Sequence, residues 1–278
     1  MEGIPMASDK RFKLALIPRS TSYSPGPAAP IPPFRPGYTE YVQASKLIDT
    51  IEDGVKTLVL DWVIERIDGS HVQPYRENVA FKRNRLADIA KESENAIAVE
   101  IGFGSAGPKP QQEKSNCENN PEVKQIEGKT QFPASRPGSG IRTVHKIGCD
   151  KSALLAKAIH GELVKIIPIP DRGIGAPKNE LLDTCKIPIC QIRPLFIDGG
   201  VDPHYLKFAR SRTFMASAII EGIKKYLEAQ KTIKQELEKK PEEKPCCNGK
   251  EANCCNGKSV LTHKMKIPDS IKVIKNAT

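Results

Sequence analysis

The sequence is short of aromatic residues and of long apolar runs, and each shortage removes a class of function. Phe, Trp and Tyr make up 5% of the chain, with a single Trp, which leaves little from which to build the stacking platforms used by single-strand nucleic-acid binders. No zinc-finger or RNA-recognition motif is present either. The longest apolar stretches, residues 56–63 and 163–170, fall far short of the roughly 20 residues that cross a bilayer. The first residues lack the apolar core of a signal peptide, so the expectation is a chain that starts out cytoplasmic. With no secretory signal, the eight cysteines read as thiols or metal ligands rather than as a disulfide framework.

What the chain does have is enough apolar material for a full core. Its 278 residues are 38% hydrophobic, which suits one domain with appended segments. The formal charge of +10 would suit a polyanionic partner, but from residue 231 onward 11 lysines stand against 6 acidic residues, a net of +5. Half the excess therefore belongs to a tail, which argues against nucleic acid as the partner of the folded part.

Residues 12–18 (FKLALIP) form a short apolar run closed by proline, the pattern of a buried strand. Residues 19–38 carry six prolines and predict a loop, because proline removes a backbone donor and fixes φ. Residues 39–51 (TEYVQASKLIDTI) place Tyr41, Ala44, Leu47, Ile48 and Ile51 at helical spacing, with Thr39 as N-cap. Residues 56–67 (KTLVLDWVIERI) favour strand over helix, and Asp68-Gly69 marks a turn. A helix over 78–93 with Val79, Leu86, Ile89 and Ala90 on one face precedes a buried strand over 96–103 (AIAVEIGF). Residues 104–140 lack apolar periodicity and read as an exposed insertion. Strand resumes over 141–147, an amphipathic helix follows over 151–164, an apolar segment broken by Pro188 and Pro194 covers 187–197, and helix over 205–237 closes the domain. Strands alternating with amphipathic helices imply an α/β fold, a three-layer sandwich with a mixed, mostly parallel sheet between helices. The division expected is an extension over 1–11, the α/β domain over 12–239 and a flexible tail over 240–278. That tail holds two copies of CCNGK.

Taken in order, several segments resemble the zinc-dependent N-acetylmuramoyl-L-alanine amidases, which cut the lactyl amide of peptidoglycan. FKLALIPRS resembles their opening strand and its Gly-His-Gly turn, and GYTEYVQASKLI the helix that contributes a zinc-binding glutamate. RLADIAKESENAIAVEIGFGS resembles an Arg-containing helix followed by a Ser-Ile-His-Ala-Asn strand. GIRTVHKIGCDKSALLAKAIHGEL, DRGI, PLFIDGGVDPHYL and ASAIIEGIKKYL resemble the elements that follow, down to the last helix. The resemblance covers most of the chain up to the tail and implies a zinc exopeptidase-like fold.

In that family two histidines and a glutamate hold zinc, which activates water and polarises the amide, and a further glutamate acts as general base. The resemblance puts Glu40 at the glutamate ligand, Ser20 and Gly102 at the two histidines, and Asp198 at the general base. Glycine has no side chain to ligate, and a neutral serine hydroxyl is a poor zinc ligand. A simpler reading makes Glu40 a solvated carboxylate on the helix surface and Asp198 a turn residue beside Gly199 and Gly200. His71, His145, His160 and His204 are the remaining candidates for a rebuilt zinc site. Cys246, Cys247, Cys254 and Cys255 could offer thiolates to zinc or copper(I) from the tail, although adjacent cysteines are unlike the C-x-x-C knuckles of zinc modules.

The reading preferred is therefore an amidase-like domain without zinc, acting as a non-catalytic binding or scaffold protein for peptidoglycan fragments or a protein partner. One alternative is an active amidase with a rearranged zinc site. Another is a structural or assembly protein of a bacterium or phage, self-associating and virion- or cell-wall-associated.

Overall fold

The structure is a computed structural model that describes residues 11–20, 39–69, 71–72, 75–105, 139–197 and 202–239. The chain falls into two units, Met1–Glu236 and Leu237–Thr278. The second has only the end of the last helix among the described residues.

The first unit is a six-stranded mixed sheet flanked by helices. In chain order its elements are β1 (Phe12–Pro18), α1 (Glu40–Thr57), β2 (Trp62–Arg66), α2 (Tyr75–Glu92), β3 (Ala96–Ile101), β4 (Ile141–His145), α3 (Asp150–Ile166), β5 (Asp171–Gly175), α4 (Glu180–Thr184), β6 (Ile189–Arg193), α5 (Asp202–Leu206) and α6 (Ala209–Lys239). The sheet order is β2-β1-β3-β6-β4-β5. Every neighbouring pair is parallel except β4 with β6, which is antiparallel. The central strands are largely apolar on both faces because helices cover both, as parallel sheets require. On one face Leu14, Leu16, Ile97, Val99, Ile101 and Ile192 pack with α1, α3 and α6. On the other, Ala15, Ile17, Ala98, Val144 and Ile189 pack with Leu86 and Ile89 of α2 and with Leu181 and Leu182 of α4.

Thr39 is the N-cap of α1, its Oγ1 accepting from Val42 N at 3.4 Å. Several boundaries differ from the pattern read in the sequence, and β5 and α4 have no counterpart in it. The helix α1 runs on through Thr57, and β2 starts only at Trp62. Between them Leu58 and Val59 are solvent-exposed and Val59 adopts φ 51°, so residues 56–61 end a helix and turn rather than forming a strand. The closing helix is broken at residues 207–208 into α5 and α6. The proline-rich stretch 21–38, most of the insertion (106–138) and the tail from 240 lie outside the described residues.

Candidate functional site

In an open α/β sheet the parallel strands end together, and the crevice beyond their carboxyl ends is where loop residues converge. Here β1 leads into Arg19 and Ser20, β3 into Gly102 and Phe103, and the N-terminus of α1 delivers Glu40 to the same place. Glu40 is 2% exposed, which corrects the solvated-carboxylate reading. Its Oε2 accepts from Ser20 Oγ at 2.5 Å and its Oε1 from the backbone N–H of Phe103 at 2.9 Å. Arg19 Nη1 lies 3.6 Å from Oε1. Glu40 is the first residue of α1, where the helix dipole also favours a negative charge. The polar ends of one buried carboxylate are thus met by a hydroxyl, an amide and a guanidinium.

Gly102 completes the convergence. A Cβ built on it would stand 2.7 Å from Glu40 Oε1, 2.7 Å from Arg19 Cδ and 3.0 Å from Arg19 Cβ. The space a side chain would need is filled by Arg19. A zinc ion does not fit this donor set. Gly102 offers no atom, the Ser20 hydroxyl donates to the one carboxylate present, and a guanidinium cation occupies the approach to that carboxylate.

The other candidates disperse. Asp198 and the tail residues Cys246, Cys247, Cys254 and Cys255 lie outside the described residues. His160 is buried and committed on both nitrogens, to Thr143 Oγ1 at 2.9 Å and to Asp171 Oδ1 at 2.8 Å. Nδ1 of His145 bonds the Lys146 carbonyl at 2.9 Å, and the His71 ring meets Phe81 edge to face. Among the described residues no three His, Cys, Asp or Glu side chains are grouped so as to hold a metal ion.

The sequence reading missed a second set of polar residues on the α2/α4 face of the sheet. The register pairs Glu100 with Gln191, and Gln191 with Val144. The Gln191 Nε2 donates to Glu100 Oε2, and its Oε1 accepts from Arg193 Nε and Nη2 at 3.1 and 2.9 Å. From α2, the buried Lys82 reaches up to donate to the carbonyls of Pro18 (2.7 Å) and Arg19 (3.3 Å). Burial pushes the Lys82 ammonium below its ordinary pKa, opposed by Glu100, Asp68 and Glu40. Burial pushes the Glu100 carboxyl up, opposed chiefly by Lys82 and Arg19. The Arg193 guanidinium is held below its ordinary value by burial and then by its neighbours Arg19 and Arg142. Lys82, Glu100 and Gln191 line a cavity of about 240 Å³ together with Arg19, Asn78 and the start of α4. A signal was available: AIAVEIGF and ICQIR each break an apolar run with a polar side chain at strand spacing, and such a residue in a buried strand needs a polar neighbour.

A further buried carboxylate, Asp202 at the start of α5, accepts from Ser139 Oγ (2.5 Å), Gly140 N (2.9 Å) and Phe196 N (2.9 Å). It ties the loop before β4 to the end of β6.

No protein-family profile matches the sequence, and no curated protein matches it. Solved structures do. An N-acetylmuramoyl-L-alanine amidase from Clostridium difficile 630 superposes with a TM-score of 0.58 at 13% identity, covering 79% of this chain and 98% of its own. The CwlD amidase from Clostridioides difficile, solved in complex with the GerS lipoprotein, gives 0.59 at 17% identity over 79% of this chain and all (100%) of its own. The catalytic domain of CwlV, an N-acetylmuramoyl-L-alanine amidase from Bacillus (Paenibacillus) polymyxa var. colistinus, gives 0.56 at 14% identity, over 78% and 99%. The chain therefore has the fold of the amidase catalytic domains.

Proposed function

We propose that this chain is an amidase-fold module that binds rather than cuts, with a peptidoglycan fragment or a protein as its partner. In this reading Glu40 stands where the family's glutamate ligand stands, and Ser20 and Gly102 stand where its two histidines do. The observation that carries the reading is the state of Glu40. Its carboxylate is already satisfied by Ser20, Phe103 N and Arg19, and the Arg19 side chain lies against Gly102. A ligand position that has been closed by internal hydrogen bonds and a fixed cation suits a scaffold whose crevice serves recognition. One solved amidase of this fold was captured with a lipoprotein, which supports a protein partner. No helix among the described residues is long and apolar enough to cross a membrane.

The test is metal content and hydrolysis measured together on the purified full chain. The expectation is no release of peptide from peptidoglycan. Any zinc that is bound should disappear when Cys246, Cys247, Cys254 and Cys255 are all replaced by serine. Peptide release, with stoichiometric zinc retained by that variant, would establish the rearranged zinc amidase instead.

A further inference from the structure

Among the residues whose exposure is described, the only aromatic side chains turned to solvent are Phe208, 62% exposed, and Phe214, 43% exposed. Both stand at the break between α5 and α6. The start of α6 turns Met215, Ile219 and Ile223 into the core, which leaves Arg210, Thr213, Phe214 and Ser217 as one outward stripe at spacings of three and four residues. On that stripe the Arg210 guanidinium lies over the Phe214 ring, 5.2 Å from its centroid. Lys207 and Phe208 are exposed in the link just before it.

The charge of this corner has one sign. From residue 203 to residue 220 the chain carries Lys207, Arg210 and Arg212 and no Asp or Glu. The acid before this stretch, Asp202, is buried and held by Ser139, Gly140 N and Phe196 N, and the acid after it, Glu221, is paired with Lys224. Helix stability does not explain the arrangement. A helix start favours a Ser, Thr, Asp or Asn cap and acidic residues in the first turn, whereas α6 is preceded by Phe208, begins with Arg210 and Arg212, and has no acid in its first turn. Departures from local preference of this kind mark places where function sets the residue.

Exposed rings among Lys and Arg match an anionic lipid surface. The rings enter the boundary between headgroups and acyl chains, and the cations meet the phosphate oxygens. A stable protein partner would need roughly 800 Å² of shaped surface on each side, and two rings at a helix end do not supply it. A lipid surface adapts its own shape, and the formal charge of +10 draws the chain toward it from a distance.

We propose that Phe208 and Phe214, with Lys207, Arg210 and Arg212, seat the protein on a membrane surface rich in anionic lipid. The attachment is peripheral, since no helix among the described residues is long and apolar enough to cross a bilayer, and it stands whether or not the crevice cuts amide bonds.

The test is co-sedimentation of the full chain, in physiological salt, with vesicles of phosphatidylcholine alone and of phosphatidylcholine with about a third phosphatidylglycerol. The chain should bind the anionic vesicles and not the neutral ones. Combining Phe208→Ser with Phe214→Ser should weaken binding at least about tenfold. Phe208→Trp should bind at least as well as the parent, and on the vesicles its fluorescence should shift to the blue, a shift the parent with Trp62 alone does not show. Arg210→Gln should lose about fivefold, more than Lys151→Gln, which removes an exposed charge from α3. Equal binding by the double serine variant would assign attachment to diffuse charge, the lysine-rich tail included, and overturn the proposal. So would failure of the parent to bind, equal losses in the two charge variants, or an unshifted Phe208→Trp spectrum, which decides alone if the double variant does not fold. Capture by polyglutamate or RNA while the vesicles stay free would overturn it in favour of an acidic polymer.

Discussion

Replacing Glu40 by alanine should destabilise the domain far more than replacing it by glutamine, and the gap measures what the carboxylate does. In the alanine variant the buried Phe103 N–H, which now donates to Oε1 at 2.9 Å, is left without an acceptor. An orphaned buried donor costs about 1–3 kcal/mol, and a hydrogen bond to a charged group contributes about 1.5–3 kcal/mol. Arg19, with its side chain 38% exposed, keeps access to water, so loss of its ion pair adds little. The sum is about 2.5–6 kcal/mol, which for a domain of this size lowers the melting temperature by roughly 5–24 °C. Glutamine has the same shape. Its oxygen can still accept from Phe103 N and its amide can donate to the Ser20 hydroxyl, which rotates to accept. Only the charge assistance is lost, about 1 kcal/mol or roughly 3 °C. The assay is thermal or urea unfolding of the three proteins side by side. If alanine melts within about 2 °C of the parent, Glu40 is not the structural centre of the crevice. If glutamine is as damaging as alanine, the negative charge is required and the shape argument is wrong.

Two further outcomes follow from the same cluster. Gly102→Ala should destabilise by about 1–2 kcal/mol, because its Cβ meets Glu40 Oε1 and Arg19 Cδ at 2.7 Å, an overpacking strain; in combination with Arg19→Ala the loss should be less than additive, and strict additivity in a double-mutant cycle would refute the contact. Glu100 has its folded-state pKa raised by burial above the ordinary 4.5, so between that value and the raised one the folded state holds a proton that the unfolded state has released. Stability contributed by Glu100 therefore falls as pH rises through that window. Glu100→Gln should flatten the fall in a urea series across it, and an unchanged slope would count against the shift.

Much of the fold was legible because periodicity is local. FKLALIP and AIAVEIGF announce strands buried on both faces, and KSALLAKAIHGELV announces a helix with one apolar face; β1, β3 and α3 follow these runs closely. Residues 56–67 were harder, since an apolar pair such as Leu58 and Val59 reads as strand in sequence but stands in the exposed turn that precedes β2. The candidate site was legible only where a resemblance pointed to it. Ser20, Glu40 and Gly102 are separated by 20 and 62 residues (40 − 20 and 102 − 40), and no local pattern connects them.

By itself, then, the sequence determined the types of the long periodic elements, their apolar faces and the residues present at each position, Ser20 and Gly102 among them. These depend on side-chain chemistry and on spacings of two and of about 3.6 residues. The tertiary structure decided which strands end side by side, and from that everything about the site. Burial of Glu40, its three partners, the pairing of Glu100 with Gln191 and the cavity beside Arg19 all arise from strand order and register. Those are set by how helices pack over both faces of the sheet, a balance of contacts between residues far apart in the chain.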